Sequence, residues 1–176
     1  MKKAIVAGGC FWCTEAVFKH LKGVIEAVPG YIGGKQANPT YEEVCTGETG
    51  HAEAIEIVYD EREIRYTQLL EIFFATHNPT TLNRQGEDRG TQYRSEIFYF
   101  DEEQKQTALE YIGILTDEKV FDQPIVTQLS PATTFYVAED YHKNYFERKG
   151  TENPYCQMVV KPKVDKFKMQ YASKLK

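Results

Sequence analysis

The sequence of 176 residues has no apolar run long enough to cross a bilayer as a helix. It has no block of lysine and arginine, and its net charge is -5, so neither nucleic acid nor a membrane is an expected partner. Four cysteines are too few for a disulfide scaffold. In a reducing compartment such cysteines are catalytic, metal-binding or inert. No G-x-G-x-x-G loop is present to cradle a dinucleotide phosphate. No repeat, linker or low-complexity segment divides the chain. It reads as one domain over 1–176, a core at 1–150 followed by an irregular tail at 151–176. The start, Met1-Lys2-Lys3 and then Ala4 to Gly9, has the outline of an export signal. Its apolar run is shorter than the roughly 7–15 residues such a signal needs, so it reads as a first strand and the protein is expected to be cytoplasmic. Nothing in the sequence points to an obligate dimer, and a monomer is expected.

What is present is a 41% hydrophobic chain, enough to build a packed core. Its organising stretch is Gly8-Gly9-Cys10-Phe11-Trp12-Cys13. The apolar run Ala4 to Ala7 precedes it, and Thr14 to Leu21 follows with helical spacing. The reading is strand, glycine turn, cysteine, helix. Glycines permit the tight turn. Cys10 then sits at a helix start, where free N–H groups and the helix dipole favour thiolate, the reactive form of sulfur. Phe11 and Trp12 beside it predict a reactive sulfur at the floor of an apolar pocket. The plainer alternative is a buried, inert cysteine in a packed turn.

Further along, Val24 to Ile32 reads as a strand kinked at Pro29-Gly30. Gly33 to Gly50 is a long polar loop of the kind that is usually functional. Ala54 to Tyr59 alternates as a strand. Tyr66, Leu69, Leu70, Phe73 and Phe74 form one helical stripe. His77 to Tyr93 is a second long loop, and Ser95 to Phe100 a strand. Asp101 caps a helix whose buried stripe is Ala108, Leu109, Ile112 and Leu115. Ile125 to Leu129 and Phe135 to Val137 are short strands, and Asp140 to Lys149 is a short aromatic helix. Interleaved this way, the elements predict an α+β fold, a two-layer sandwich of split β-α-β (ferredoxin-like) type with long loops and an irregular C-terminal tail.

Candidate chemistry gathers at few places. Cys10 and Cys13 form a C-x-x-C that suits a redox disulfide at a helix start. Zinc would need Cys45 and Cys156 as well, but these are isolated rather than paired, so no metal is expected. A Cys–His hydrolase would need one of His20, His51, His77 or His142 to activate Cys10, and spacing singles out none. His51 reads as a loop histidine bonded to backbone. Glu53 adjoins an apolar strand; a carboxyl partly buried there has a raised pKa and can donate a proton near neutrality. Tyrosines in the two loops can donate hydrogen bonds to a substrate oxygen, although surface decoration accounts for most of the 12 tyrosines.

Four motifs occur in order: Gly9-Cys10-Phe11-Trp12, Gly50-His51-Ala52-Glu53, Gly90-Thr91-Gln92-Tyr93-Arg94-Ser95 and Glu139-Asp140-Tyr141-His142. With them the chain closely resembles the A-type peptide methionine sulfoxide reductases from Ala4 to about Cys156. The resemblance implies that Cys10 is the nucleophile that attacks the sulfoxide sulfur. It implies that Phe11 and Trp12 hold the substrate methyl group and that Glu53 protonates the sulfoxide oxygen. Tyr41 and Tyr93 match hydrogen-bonding partners of that oxygen, and Asp88 a supporting polar residue. Methionine leaves, Cys10 becomes a sulfenic acid, a second cysteine closes a disulfide, and thioredoxin reduces it. The implied substrate is the S epimer of methionine sulfoxide, free or in proteins, and no cofactor is required. The family commonly has glycine where Cys13 stands, and no cysteine follows Cys156. Both Cys13 and Cys156 therefore stand as candidates to resolve the sulfenic acid, with Cys156 favoured because a loosely structured tail can reach Cys10. Cys45 is expected to be inert. The remaining readings are a thiol–disulfide oxidoreductase using Cys10 and Cys13, and a non-catalytic zinc-binding module.

Overall fold

The computed structural model describes residues 1–176. Strand β1, Lys2–Gly8, lies in the middle of a six-stranded sheet. It pairs antiparallel with β3, Ala52–Tyr59, on one side and with β6, Ser95–Tyr99, on the other. β2, Val24–Ile32, pairs antiparallel with β3. The order β6-β1-β3-β2 is that of a split β-α-β sandwich, with α1, Phe11–Phe18, joining β1 to β2 and α3, Tyr66–Ala75, following β3. The expected fold class therefore holds. Two short strands extend the sheet: β7, Gln128–Pro131, runs parallel to β6, and β8, Tyr136–Val137, pairs with β2.

Alternation along the strands divides the core. Ala4, Val6, Ile55, Ile57 and Ile97 face the helices, where they meet Phe11, Val17 and Phe18 of α1 and Leu69 to Phe74 of α3. Ile5, Ala7, Ala52, Ala54 and Phe98 face the other way, against Ala132 and Phe135. The apolar run Ala4 to Ala7 is thus a central strand covered on both faces. Glu53 has the parity of Ile55 and Ile57, and so points into the helix layer beneath α1.

Several elements differ from the sequence reading. The tail is helical, not irregular. A π-helical turn at Cys156–Val160 leads into α6, Lys161–Gln170. Cys156, Val160, Val164 and Phe167 are buried at spacings of four, four and three, the stripe of a packed helix. Pro162, which reads as a breaker, stands in the first turn, where its missing N–H has no bond to lose. The chain end then returns to the body of the protein, with Lys176 N–H donating to His20 O at 2.9 Å. The first long loop contains a short helix, α2, Tyr41–Cys45, capped reciprocally by Thr40 and Glu43. The second contains a hairpin of β4, Arg84–Gln85, and β5, Asp88–Arg89. The helix expected at 140–149 is broken. A 3-10 turn at Asp140–His142 is separated from α5, Tyr145–Lys149, by Asn144 in the left-handed region at φ 56°. The strand expected at 125–129 begins three residues later, at Gln128. On α4, Glu102–Asp117, Leu109 is exposed and only Ala108 and Leu115 of the expected stripe are fully buried, because the helix packs near the sheet edge. No helix is long and apolar enough to cross a membrane.

The docked tail gives a first test. Phe167 is buried in the main core, so Phe167→Ala should cost roughly 3–5 kcal/mol in equilibrium denaturation. A loss under about 1 kcal/mol is the surface-residue result and would show that α6 is not part of the cooperative core.

Candidate active site

The site is built at the end of β1. Gly9 turns the chain at φ 95°, and a Cβ there would meet the Gln85 side chain at 2.7 Å. Cys10 is left in extended conformation as the N-cap of α1, with no side-chain cap. The N–H that begins the helix, that of Phe11, is taken instead by Glu53 Oε1 at 3.2 Å. The other carboxyl oxygen, Oε2, is buried and has no partner. Burial pushes the Glu53 pKa from 4.5 up to about 8; Phe11 N–H opposes the shift, while Asp88 and Cys13 add to it. At neutral pH Glu53 is therefore an uncharged acid with an oxygen free to act on something not yet bound.

Tyr41, at the start of α2, and Tyr93, in the loop before β6, are both half-buried. Both phenols are held protonated, by burial first and then by the nearness of Glu53; Cys10 contributes to each. Asp88, on the hairpin, accepts a hydrogen bond from the Tyr155 hydroxyl. The hairpin and the tail together enclose a cavity of about 370 Å3 that opens on Cys10 and Cys13.

An aromatic frame fixes the first turn of α1. Trp12 is the only residue of that helix that is not buried. Its indole N–H donates to His142 Nδ1 at 3.0 Å, its ring stacks on Tyr145 at 4.0 Å, and Tyr155 meets it edge-on at 6.0 Å. Phe11 lies wholly buried beneath, against Tyr31, Tyr41 and His142. Glu139 ties the frame together, accepting from Tyr31 Oη and from Tyr41 N–H, each at 2.8 Å. Partial burial pulls its carboxyl up, but these hydrogen bonds outweigh it and hold Glu139 below its ordinary value.

Three of the four cysteines converge. Cys10, Cys13 and Cys156 share a cluster with Ala16, Val160 and Val164, whereas Cys45 is exposed on α2. No group of three or more histidine, cysteine or carboxylate side chains is arranged to hold a metal ion. At Cys10 the surroundings act against the thiolate expected. Burial raises this thiol well above its ordinary value, and its interactions with Cys13 and Glu53 raise it further. The lowered thiol is Cys13, through its interaction with Cys10 first, against burial, and then through Lys163. Two of the four candidate histidines are engaged elsewhere. His51 accepts Gly34 N–H at Nδ1 and meets Gln36 O at Nε2, the structural role expected of it. His77 lies between Phe73 O and Ser95 Oγ.

The sequence matches the family described as "Peptide methionine sulfoxide reductase" over residues 2–175. The chain belongs to this family. It is 55% identical to the peptide methionine sulfoxide reductase MsrA of Deinococcus radiodurans, over 99% of this chain and 84% of that protein. It is 53% identical to the MsrA of Saccharolobus solfataricus, over 100% of this chain and 98% of that one. Among solved structures it resembles reduced Mxr1 of Saccharomyces cerevisiae, with TM-score 0.82 and 31% identity over 88% of each chain. It also resembles methionine sulfoxide reductase A of Corynebacterium diphtheriae, with TM-score 0.73 and 33% identity over 84% of this chain and 74% of that one.

In this reductase-family chain Cys10, Cys13 and Asp88 line the cavity, Cys156 shares the cysteine cluster, Glu53 and Phe11 lie beneath the start of α1, and Trp12, Tyr41 and Tyr93 lie around them. Sequence reading gave no part in the site to Tyr31 or Tyr155, and it placed Glu139 and His142 in a motif without the framework role seen here. Their one available signal was the cluster Glu139 to His142, which is easily mistaken for an ordinary helix start.

The raised Glu53 pKa makes stability depend on pH. The unfolded carboxyl ionises near 4.5 and the folded one near 8, so its favourable contribution is complete below pH 4.5 and is lost as pH rises to about 8. Glu53→Gln lacks this dependence. Relative to the unaltered protein it should gain about 3–5 kcal/mol of unfolding free energy between pH 4.5 and 8.5. A parallel pH course for the two proteins in urea denaturation would refute the shift.

Proposed function

We propose that this chain reduces the S epimer of methionine sulfoxide, free or within proteins, to methionine, acting as a single catalytic unit that needs no cofactor. The observation that carries the reading is the buried, protonated Glu53, with an unpartnered oxygen, beside Cys10. Sulfoxide sulfur is a poor electrophile until its oxygen is protonated or strongly hydrogen-bonded. Glu53 supplies that proton, and the Tyr41 and Tyr93 hydroxyls donate to the same oxygen. Asp88 and Tyr155 border the site, and the Trp12 face receives the methyl group. Cys10 sulfur attacks the sulfoxide sulfur. Oxygen is transferred to Cys10, methionine leaves, and the thiol proton and the sulfoxide oxygen finish together in the sulfenic acid. Glu53 regains its proton. This balance needs no permanent thiolate at Cys10; its proton passes to the transferred oxygen as the sulfur attacks.

Cys13 is the first resolving partner in this reading. It stands three residues along the same helix start and interacts with Cys10 directly, which supports it over Cys156. Cys156 is anchored on the tail helix rather than carried on a loose tail. It lies in the same cluster as Cys13 and serves as a possible second exchange partner. The resulting disulfide needs a dithiol reductant, and thioredoxin is the proposed one. The free cysteines suit a reducing compartment such as the cytoplasm. A simple thiol–disulfide exchange role would use Cys10 and Cys13 but leaves the buried acid without a task.

Cys10→Ser should abolish methionine formation from the S sulfoxide in a folded protein, and the R sulfoxide should be a poor substrate throughout. Glu53→Gln should slow the first turnover by ~10²–10⁴-fold. Equal rates on both epimers, or an unchanged first turnover without Glu53, would overturn the reading.

The resolving step is tested separately. After one turnover without reductant, Cys13→Ser should retain the Cys10 sulfenic acid, trapped with dimedone, while Cys156→Ser should lose it at the normal rate. The reverse pattern would restore Cys156 as the resolver.

A further inference from the structure

Helix α6 places Lys163 against two cavities that meet at Cys13. One is the cavity of about 370 Å3 holding Cys10 and Cys13. The other, of about 10 Å3, lies between Cys13, Gly8, Phe73 and His77. Lys163 is the one cationic side chain lining either. His77 is held neutral, its pKa pushed down to about 4, chiefly by burial. Lys163 is half-buried, yet it makes no ion pair and no hydrogen bond, although Glu87 and Asp88 line the larger cavity with it. Other lysines of the tail do find partners: Lys161 pairs with Asp165 at 2.5 Å and Lys174 with Glu71 at 3.5 Å. A partly desolvated ammonium without a counter-ion is costly unless a negative charge forms near it.

We infer that Lys163 is a positioning residue of thiol exchange, whose ammonium stabilises Cys13 as a thiolate when Cys13 attacks oxidised Cys10. The inference rests on the resolving role proposed for Cys13. The groups that act on Cys13 are the Cys10 thiol, the Asp88 and Glu53 carboxyls, Cys156 and Lys163, with His77 uncharged. Burial and Asp88 oppose ionisation of Cys13, the protonated Glu53 adds no charge, and Cys10 and Lys163 favour it. In the resting protein the Cys10 thiol is the larger help. Once Cys10 is a sulfenic acid that thiol no longer exists, and Lys163 is the stabilising charge that remains. In the step itself Cys13 Sγ bonds to Cys10 Sγ and the Cys10 S–O bond breaks. Hydroxide departs and takes up one proton as water.

The test compares Lys163→Met, which keeps the length but not the charge, with Lys163→Arg, which keeps the charge. Two readouts are needed. The first is the pH dependence of Cys13 alkylation by iodoacetamide, followed by peptide mass in the reduced protein. The second is the decay of the Cys10 sulfenic acid after one turnover. Lys163→Met should raise the alkylation midpoint by about one pH unit and slow the decay about tenfold near pH 7, while Lys163→Arg stays within about twofold. An unshifted midpoint in Lys163→Met overturns the inference, as does an Arg variant as slow as the Met variant, which would assign the effect to packing. If Cys13→Ser loses its sulfenic acid at the normal rate, the role of Cys13 fails and the task of Lys163 fails with it. An unshifted midpoint alone refutes only the lysine.

Discussion

The contact between Phe11 N–H and the Glu53 carboxyl joins the sheet to the turn that carries Cys10. Its geometry depends on the register of β3. A slip of one residue would send Glu53 to the opposite face of the sheet, away from α1. Its electrostatics depend on a contest of magnitudes. A hydrogen bond to a charged acceptor is worth roughly 1.5–3 kcal/mol, while burying a carboxylate costs several. A single N–H cannot offset that cost, so Glu53 keeps its proton up to about pH 8. An acid strong enough to ionise on the surface would have nothing to give at neutrality. Burial beneath α1 is what turns a strand glutamate into a donor.

The same economy of position governs Trp12. It is the half-exposed residue on a helix otherwise surrounded by protein, and an unsupported indole there would be free to turn. Its N–H is held by His142, 130 positions later in the chain, and its face by Tyr145. Glu139 orders the Tyr41 backbone and Tyr31 hydroxyl from the same turn. One short segment thereby aligns the apolar wall with the end of the loop that supplies Tyr41. This makes the Glu139 to His142 motif a framework for the site rather than part of its chemistry.

How much of this was legible depended on whether the signal was local. The apolar run Ala4 to Ala7, the alternation in Ala54 to Tyr59, the glycines before Cys10 and the stripe from Tyr66 to Phe74 each report on their own element, and they led to the correct fold class. Glu53 was recognisable because a carboxyl that adjoins an apolar strand is expected to be partly buried. The frame around Trp12 was not, since it joins residues distant in sequence. The tail failed for a different reason. Its stripe of Cys156, Val160, Val164 and Phe167 is present, but Pro162 and the lysines around it mimic a disordered end. The misreading of the Cys10 thiol followed from that of the tail. A helix start exposed to water favours thiolate, and this one is packed in a cluster with Cys156, Val160 and Val164 of the helical tail.

Cys10 and Cys13 then pose a single problem in one place. Both are buried at the start of α1, yet their thiols move in opposite directions. Desolvation opposes ionisation at both, as the largest cause at Cys10 and the second at Cys13, where the interaction with Cys10 exceeds it. Neighbours decide. Cys10 lies beside Glu53 and gains no cation, whereas Cys13 receives both the support of Cys10 and the Lys163 charge from α6. In the proposed reaction this division is useful in sequence. Cys10 carries a proton that finishes on the transferred oxygen in the sulfenic acid, and Cys13 needs to lose one before it can close the disulfide. The helix that buries Cys10 is also the one that brings Lys163 to Cys13, so docking of the tail sets the protonation of both sulfurs at once.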